Sequence, residues 1–560
     1  MDVTSVIGDY GKFQRNIFMF CLLRGFPTGL HLVVYTFFFP AVEHWCAPPD
    51  ELIGNVTVDQ WKAMALPYET GIGGDIRYSS CLMFPVKRVG SELVALENIT
   101  VACERWEYGE TFYRHSLVQE WDLVCARAWT RSLVQSATMA GMLVGTLVCS
   151  SLGDRLGRRP LVIVSLALSL LGGLAVSVSP SFLFLLVSRS LVGLGLGLGQ
   201  ASCFCLLMEV VGPRKRTTTA VAFSLGFALG LCALPAFAWV FQDWRQLQVA
   251  ISLPLVVFLA WSWYLPESPR WLVATGKLKR ARRVLLQAGT ANGIEIKNVD
   301  SIIEQLRWKI TEQDHEAEEV NCSDLLRTRK VRRYSIVLVY ASMTCGAVFY
   351  GLQFSVTSLG GNPYINFLLA AAAEFPVCLL CYCTVRWCRR RLTMLVIFAV
   401  GGACSVAIGL LVFAGPELAW LRQCLGIGGK VLASAALTVV WMFAAEVFPT
   451  VLRTLGVGAC LVGTRVGGAL VPFLIELRNY TNEAVPLIIL GGLFFLSAIL
   501  VLLLPETFRV ALPDTLHETE GLSKSRAGDS KRNGEASPIT CEKMLVVPGD
   551  ESPAAKKDAE

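Results

Sequence analysis

Long apolar runs without charged residues dominate this sequence and limit the folds that it can adopt. The stretches 132–150, 161–178, 248–265 and 485–504 contain no Asp, Glu, Lys or Arg. A helix needs about 20 apolar residues to cross a hydrocarbon core of roughly 30 Å. The chain is 54% hydrophobic and 17% charged, whereas about a quarter of the residues of a soluble domain are charged. The sequence therefore predicts an all-α membrane protein whose helices cross the lipid bilayer many times.

Twelve runs of this kind are predicted to be membrane-spanning helices, arranged as two bundles of six. The predicted spans are 17–42, 132–152, 161–178, 182–210, 219–241, 248–265, 335–357, 364–386, 392–413, 420–445, 456–476 and 485–505. Residues 17–265 hold the first six spans and residues 335–505 the second six, with the hydrophilic segment 266–334 as a central loop. The polar residues 1–16 lack the pattern of a cleavable signal peptide. The composition of 506–560 predicts a disordered tail.

Clusters of Lys and Arg occur in every second loop between the predicted spans. They include Arg155, Arg158 and Arg159 after span 2, Arg214, Lys215 and Arg216 after span 4, and Arg389, Arg390 and Arg391 after span 8. Because cytoplasmic loops carry an excess of basic residues, both termini and the segment 266–334 are predicted to be cytoplasmic, and we expect the plasma membrane. These loops account for the net charge of +6, which therefore does not indicate a nucleic-acid partner.

The long polar loop 43–131 would then be extracellular. Four cysteines share this loop: Cys46, Cys81, Cys103 and Cys125. An even set of cysteines in one extracellular loop favours disulfides over free thiols, but the pairing does not follow from the sequence. Asn55 and Asn98 begin glycosylation sequons in the same loop, so we expect both to be glycosylated.

Two short signals recur at equivalent places in the two halves. Residues 153–159 (Gly-Asp-Arg-Leu-Gly-Arg-Arg) follow span 2, and residues 387–391 (Trp-Cys-Arg-Arg-Arg) follow span 8. The segments Glu209–Arg216 and Glu446–Arg453 end spans 4 and 10. The Asp154 carboxylate can accept from helix N-terminal N–H groups and pair with Arg, forming a latch that breaks when the bundles tilt. The alternative is a basic loop that only fixes the topology; the repetition favours the latch.

The segment 153–159 resembles the loop signature of the major facilitator superfamily. Further segments resemble one family within it, the organic cation, organic anion and carnitine transporters: Tyr10–Gln14, Glu120–Cys125, Pro266–Leu272 and Pro505–Thr507. The long, cysteine-bearing first loop is also typical of that family, whereas the sugar transporter branch has a short one. The resemblance covers residues 5–507 and implies the major facilitator superfamily fold, in which two six-helix bundles surround a central substrate cavity.

The resemblance also implies a set of gating residues at the cytoplasmic helix ends. They are Asp154, Arg155, Gly157, Arg158, Arg159, Glu209, Arg216, Glu267, Arg270, Glu446 and Arg453. The sequence departs from the family pattern at three places. Ser150 stands at the first glycine of the signature, and Val385 and Cys388 stand where the second half usually has an acid and a glycine. We therefore expect a weaker latch in the second half.

Glycine recurs at every second position from Gly193 to Gly199 in span 4. This pattern does not fit the Gly-x-Gly-x-x-Gly spacing of a dinucleotide site, and it lies inside a predicted membrane helix rather than after a strand. Small residues at short intervals let membrane helices approach closely. The sequence therefore predicts helix packing here, not nucleotide binding.

Among the ionisable residues inside predicted spans, three stand out: Arg189 in span 4, Glu374 in span 8 and Arg465 in span 11. Such residues are costly in a membrane and are functional candidates. Arg189 has the alternative of a structural pair with a backbone carbonyl or an acid. By resemblance, Glu374 matches an acidic position of the family, and Arg465 matches a position that is acidic in cation transporters and Arg in anion and carnitine transporters. Cys378 stands where several anion transporters have Lys.

These signals point to a substrate that carries both charges, with Glu374 binding its cation and Arg465 its carboxylate. The alternative is that Glu374 and Arg465 pair with each other and bind no substrate. Aromatic side chains are expected near the cation, because cations bind favourably to ring faces. By resemblance, the candidates are Phe349 and Tyr350 in span 7, with Trp441 in span 10 as a weaker one.

The sequence thus predicts a transporter of small organic cations or zwitterions, such as a carnitine-like betaine, that works by alternating access. The alternatives are an organic anion transporter and a non-transporting sensor on the same scaffold. We expect no enzyme, because no catalytic triad, metal-ligand spacing or phosphate-binding loop occurs, and we expect no cofactor or metal. The expected partners are the lipid bilayer and the organic ion, with sodium or a proton as candidate coupling ions.

Overall fold

The computed structural model describes the chain in eleven ranges: 3–40, 42–49, 57–70, 76–89, 92–96, 98–109, 114–316, 323–355, 362–414, 416–449 and 452–508. The sequon Asn55 and the tail beyond residue 508 lie outside these ranges, so the predictions made for them stay predictions. All structural statements below concern the described residues.

Within the described ranges, twelve helical spans are long and apolar enough to cross a membrane. In the first half they consist of Lys12–Leu23, Gly25–Val33 and Tyr35–Phe38 (span 1), Thr130–Leu156 (span 2), Arg158–Ser177 (span 3), Phe182–Val210 (span 4), Pro213–Phe223 and Leu225–Val240 (span 5), and Trp244–Ser252 and Pro254–Ser262 (span 6). In the second half they are Arg329–Ser355 (span 7), Pro363–Ala372 and Glu374–Trp387 (span 8), Arg390–Leu411 (span 9), Ala419–Val447 (span 10), Arg453–Glu476 (span 11) and Ala484–Val501 (span 12). The predicted number of spans is confirmed, and their ends differ by a few residues.

The surfaces of these helices fit a lipid environment. Large apolar side chains point outward along the spans, including Leu171 at 62%, Leu183 at 71% and Val257 at 65% exposure. Exposed aromatic residues with a polar edge gather at both ends of the bundle: Trp129, Trp239 and Trp420 at one end, and Trp263, Tyr264 and Trp387 at the other. Trp and Tyr are enriched at both membrane–water interfaces, so the chain is a multi-pass membrane protein.

The alternating spans end on two opposite faces. We call the face that holds residues 42–129 the first-loop face. The opposite face, which holds the N-terminal helix Val3–Ile7 and the segment between spans 6 and 7, is called the terminal face.

The glycines of span 4 allow three helices to pack at close range. A Cβ atom added to Gly193 would lie 2.0 Å from the Thr138 carbonyl oxygen of span 2, and one added to Gly197 would lie 2.2 Å from that of Met142. On the other side of span 4, a Cβ atom at Gly195 would lie 2.7 Å from the Ser165 carbonyl oxygen of span 3. The interpretation of this run as helix packing is therefore confirmed.

The first loop forms a small domain of short strands and helices. Its strands are β1 (His44–Cys46), β2 (Tyr68–Thr70), β3 (Ile76–Tyr78), β4 (Leu82–Met83), β5 (Val86–Val89), β6 (Glu92–Ala95), β7 (Val101–Ala102) and β8 (Trp106–Tyr108). They pair as four antiparallel two-stranded sheets, β1 with β8, β2 with β3, β4 with β7 and β5 with β6. Its helices are Val58–Ala65 and Leu117–Glu120. Trp61 fills the centre and donates from Nε1 to the Cys46 carbonyl at 2.8 Å.

Two disulfides join distant parts of this loop domain. Cys46 is bonded to Cys103, and Cys81 to Cys125, a pairing that the sequence left open. The end of the loop is fixed to the first bundle by Glu120, whose carboxylate accepts from Trp244 Nε1 at 2.7 Å and pairs with the Arg245 guanidinium.

The hydrophilic segment between spans 6 and 7, expected only as a loop, contains four helices: Pro269–Ala274, Leu278–Asn292, Val299–Glu316 and Asp324–Arg327. The first three form because an apolar stripe, including Val284, Leu285 and Leu306, packs in one cluster with the N-terminal helix. Asn292 closes the contact, since its Nδ2 donates to the Ile7 carbonyl at 2.7 Å and its Oδ1 accepts from Phe13 N at 2.9 Å.

Candidate substrate site between the two bundles

Glu374 lies at a break in span 8, directly after Ala373, where the second helix of that span begins. Its side chain is buried, at 8% exposure. Its Oε2 accepts from Ser434 Oγ at 2.6 Å, and its Oε1 lies 3.4 Å from Lys430 Nζ. Ser434 and Lys430 are one turn apart on span 10, so both side chains face span 8. The acid is therefore paired within the second bundle.

Lys430 was missed in the sequence analysis. Its side chain is fully buried, and Nζ also donates to the Ala370 carbonyl at 2.7 Å. The signal that identified Glu374 and Arg465, an ionisable residue within an apolar span, applies equally to a Lys in the middle of Ala419–Val447.

Arg465 lies in the middle of span 11 and contacts both bundles. Its Nη2 donates to Gln200 Oε1 of span 4 at 3.0 Å, and its Nη1 lies 3.4 Å from the Tyr350 hydroxyl of span 7. No described carboxylate pairs with it. Glu374 and Arg465 therefore have separate partners and do not form the mutual pair that the sequence left open.

The aromatic candidates of span 7 lie between these two groups. Phe349 and Tyr350 are both buried, with ring centroids 5.1 Å apart. Lys430 Nζ lies 5.9 Å from the Phe349 ring centroid, and Tyr350 contacts Arg465. Trp441 is half-buried among apolar neighbours, and its Nε1 has no hydrogen-bond partner among the described residues. The structure thus brings four of the five predicted residues together and leaves Trp441 at the margin.

The charges of this region do not balance. Glu374 and Lys430 form an ion pair, so their charges largely cancel. Arg465 is always protonated, and its described partners, Gln200 and Tyr350, are neutral. One positive charge is left between the bundles, and a buried charge of this kind is stable only with a counter-charge or access to water.

A layer of rings separates this region from the first-loop face. Tyr35 of span 1 lies 4.9 Å from Phe354 of span 7, measured between ring centroids. Phe37 of span 1 lies 5.1 Å from Phe367 and 5.8 Å from Tyr364, both of span 8. Since span 1 belongs to the first bundle and spans 7 and 8 to the second, these contacts close the two bundles against each other on this face.

At the terminal face of the first bundle, Arg158 is the centre of an ionic cluster. Its Nη2 lies 2.8 Å from Glu209 Oε1 and 3.0 Å from Asp154 Oδ1. Glu209 and Arg158 are 18% and 14% exposed, whereas the Asp154 side chain is 77% exposed. The cluster joins spans 2, 3 and 4 of one bundle.

Glu267 completes this cluster at the N-terminus of span 3, and it is Glu267, not Asp154 as expected from the sequence, that accepts from the helix N-terminal N–H groups. Its Oε1 accepts from the backbone N–H groups of Arg158 and Arg159 at 3.0 and 3.2 Å. Gly157 has a φ of +103°, and a Cβ atom there would lie 2.4 Å from Glu267 Oε2, so only glycine fits.

The remaining predicted gating residues of this half have fewer described contacts. The Arg159 guanidinium donates to the Trp263 carbonyl at 2.7 Å, and Arg216 Nε donates to the Val211 carbonyl at 3.1 Å. Arg155 and Arg270 are exposed.

The second bundle has a matching cluster at its terminal face. Arg390 Nε lies 3.2 Å from Glu446 Oε1, and Glu506 Oε1 accepts from the Arg390 backbone N–H at 2.9 Å. Arg390, Glu446 and Glu506 therefore take the places of Arg158, Glu209 and Glu267. In the first half, Gly157 is the one residue between the helices of spans 2 and 3, and Arg158 follows it. In the second half, two residues, Cys388 and Arg389, lie between the helices of spans 8 and 9. The counterpart of Arg158 is therefore Arg390 rather than Arg389, the residue that directly follows Cys388.

Arg453, proposed from the sequence as a gating partner, does not pair with Glu446 in this arrangement. Its Nε and Nη2 have no hydrogen-bond partner among the described residues, because Arg390 and Thr507 occupy the Glu446 carboxylate. Arg390 has no carboxylate in the place of Asp154 among its described contacts, as expected from Val385, and the Glu446 and Glu506 contacts are both present.

Comparisons with known proteins agree with this architecture. A model of the sugar (and other) transporter family matches residues 100–515. An organic cation transporter protein of Drosophila melanogaster is 30% identical, covering 94% of this chain and 95% of the relative. The human organic cation/carnitine transporter 2 is 30% identical over 92% of this chain and 93% of its own length. The organic anion transporter 3 of Sus scrofa is 31% identical over 96% of both chains.

Among solved structures, the proton:xylose symporter XylE bound to 6-bromo-6-deoxy-D-glucose superimposes with a TM-score of 0.58 at 15% identity, covering 91% of this chain and 99% of that chain. At this identity the likeness concerns the fold alone, which is that of the major facilitator superfamily. Two bundles of six helices in this fold support transport by alternating access. The chain belongs to the organic cation, organic anion and carnitine transporter family of the major facilitator superfamily.

Proposed function

We propose that this protein transports small organic ions that carry a carboxylate, and that Arg465 binds the carboxylate. The charge arrangement between the bundles supports this proposal. Lys430 pairs with Glu374, so the acid that would attract a cation is already neutralised, whereas Arg465 has only neutral described partners. The sequence alone favoured cations and zwitterions, because Cys378 stands near Glu374 where several anion transporters have Lys.

The energies favour a carboxylate over a simple cation. A charge-assisted hydrogen bond between Arg465 and a carboxylate contributes about 1.5–3 kcal/mol, which is about ten- to a hundredfold in affinity. A cation near Glu374 would have to replace Lys430 in a buried ion pair, and a buried charge left without its partner, here that of Lys430, costs about 3–5 kcal/mol. Simple cations are therefore expected to be the poorer substrates.

A zwitterion is the second candidate, and Phe349 supports it. The ring of Phe349 lies between the Lys430 and Arg465 groups, next to Tyr350. A substrate with its carboxylate at Arg465 could place an ammonium group on these ring faces. A relative named for carnitine and one named for organic anions match this chain equally well, so both substrate classes belong in the test.

The proposed orientation places the first-loop face outside the cell and the terminal face in the cytoplasm. The basic terminal face, the two disulfides and the Asn98 sequon of the first loop support this orientation. The ring layer of Tyr35, Phe37, Phe354 and Phe367 would then close the extracellular side, and substrate entry would require these rings to separate. The plasma membrane is the proposed location, and sodium or a proton gradient is the candidate driving force.

Uptake measurements on transfected cells test the proposal. Cells expressing the protein would be given labelled aromatic carboxylates, labelled carnitine or labelled tetraethylammonium at equal concentration. We expect carboxylates and carnitine to enter well above mock-transfected cells and tetraethylammonium to enter little. Efficient tetraethylammonium uptake without carboxylate uptake would contradict the substrate class, and no uptake of any probe despite surface expression would favour the sensor. Repeating the assay without sodium and at a shifted external pH identifies the coupling ion.

A further inference from the structure

Arg189, like Arg24 of span 1, is a buried cation without a described counter-charge, and it lies inside the first bundle rather than between the bundles. The residue is fully buried in span 4. Its Nη2 lies 3.4 Å from the His31 carbonyl oxygen, and its guanidinium carbon lies 5.6 Å from the Phe38 ring centroid. Among the described residues, its Nε and Nη1 have no hydrogen-bond partner and no carboxylate lies in electrostatic range.

His31 of span 1 is the polar side chain next to Arg189, and the hydrogen-bonding groups of its ring are also not satisfied by the described residues. The ring is fully buried beside the Ile251 backbone, and neither ring nitrogen makes a hydrogen bond of normal geometry with the described residues. Gln248 Oε1 of span 6 is buried in the same state. Spans 1, 4 and 6 thus direct polar atoms into one part of the bundle interior.

Gly173 of span 3 keeps these polar groups close together. A Cβ atom at this position would lie 3.3 Å from His31 Cε1, 3.3 Å from Gln248 Nε2 and 2.5 Å from Ser252 Oγ. Any other residue would fill the space that these side chains share. We call the region formed by His31, Gly173, Arg189 and Gln248 the Arg189 cluster.

The Arg189 cluster carries one fixed positive charge. Arginine stays protonated in proteins, and a charge buried in an apolar interior is costly unless it is paired. The His31 carbonyl and the Phe38 ring offer partial negative charge only. The other members of the cluster are neutral, so the missing partner is an anion.

We propose that the Arg189 cluster binds a small monovalent inorganic anion, chloride in the cell, which neutralises Arg189 and accepts a hydrogen bond from the His31 ring. Each side chain of the cluster is fully buried, which favours a compact ion over an organic carboxylate. The site is separate from Arg465, which belongs to the other bundle, so this inference goes beyond the proposed substrate site and does not depend on it.

The test is the thermal stability of the purified full-length protein in detergent, with sodium chloride replaced stepwise by sodium gluconate at constant ionic strength. A ligand that binds only the folded state stabilises it. We expect the Tm to rise with chloride in a saturable manner, by about 2–5 °C. A wild-type Tm that is independent of chloride would overturn the proposal.

Two variants test whether the chloride dependence of the Tm arises at the Arg189 cluster. His31→Glu places a carboxylate beside Arg189, so this variant should fold without chloride and lose the chloride response. Arg465→Gln removes the cation of the other bundle and should keep the full response. A response that persists in His31→Glu, or that disappears in Arg465→Gln, would contradict the assignment. Arg189→Gln should also lose the response, but His31→Glu decides the test because it retains the charge balance.

Discussion

Lys430 Nζ lies 3.4 Å from Glu374 Oε1, and both side chains are buried where spans 8 and 10 meet. Because Lys430 already neutralises the Glu374 carboxylate, Glu374 is not an open binding site for a substrate cation. Arg465, on span 11 of the same bundle, is then the charge that a substrate can neutralise.

Lys430→Met should destabilise the protein and shift its selectivity. Removing one partner of a buried ion pair costs about 3–5 kcal/mol, because the Glu374 charge is left in an apolar site. The Tm should fall, and among the molecules that reach the surface, uptake of cations should rise relative to carboxylates. Adding Glu374→Gln in the same chain should recover most of the Tm. A double variant as unstable as Lys430→Met would show that the two residues are not coupled.

Glu209→Gln should impair turnover more than Asp154→Asn. Both remove a carboxylate from Arg158, but the Glu209 side chain is 18% exposed and the Asp154 side chain 77%, so solvent screens the second contact more strongly. We expect normal surface expression for both and a lower maximal uptake rate, because the cluster holds spans 2, 3 and 4 together at the terminal face. Glu304→Gln, at an exposed position of Val299–Glu316, is the control. Wild-type uptake rates in both variants would show that the cluster only fixes the membrane topology and has no role in gating.

Gly193→Ala should disrupt the first bundle, whereas Gly458→Ala should be tolerated. The added methyl group at Gly193 would lie 2.0 Å from the Thr138 carbonyl oxygen, so spans 2 and 4 would have to separate. At Gly458 in span 11 nothing lies within 4 Å of the added atom. Size-exclusion profiles and Tm values of the two solubilised variants measure the difference. Equal, wild-type-like profiles would show that close packing at Gly193 is not required.

The topology gives a prediction for the two faces. Asn98 lies exposed in the first loop, so glycosidase should shift the mass of the protein and Asn98→Gln should reduce that shift. A cysteine placed at His315, in the last helical turn of Val299–Glu316, should stay protected from an impermeant thiol reagent in intact cells and react after permeabilisation. Labelling of that cysteine in intact cells would reverse the proposed orientation.

The twelve spans and the glycine packing could be predicted because both depend on local sequence: about 20 apolar residues make a span, and glycines at short intervals mark a close contact. The same reasoning found Glu374 and Arg465 as charges inside apolar runs. The partner of Glu374 could not be predicted, since it depends on the break at Ala373 and on span 8 lying beside span 10. Lys430 itself could have been found, because its position in span 10 satisfies the rule that identified the other two.

The ionic clusters at the terminal face illustrate a second limit of prediction from the sequence. The sequence identified Arg158, Glu209 and Glu267 from motifs, and the structure brings them together. In the second half, the linear alignment missed the role of Arg390 because the linker between spans 8 and 9 has one additional residue. The pairing of the four cysteines likewise required the fold of the first loop, since several pairings fit the same spacing.

The affinity of Arg465→Gln for carboxylates is the most direct test of the central claim. The apparent KM for a labelled carboxylate and for a labelled simple cation would be measured at equal surface density in wild-type and variant cells. If Arg465 binds the carboxylate, the variant should lose about ten- to a hundredfold in affinity for carboxylates while cation uptake is unchanged or increased, and Arg465→Lys should recover part of the loss. An unchanged KM for carboxylates in Arg465→Gln, or an equal loss for carboxylates and cations, would contradict the account.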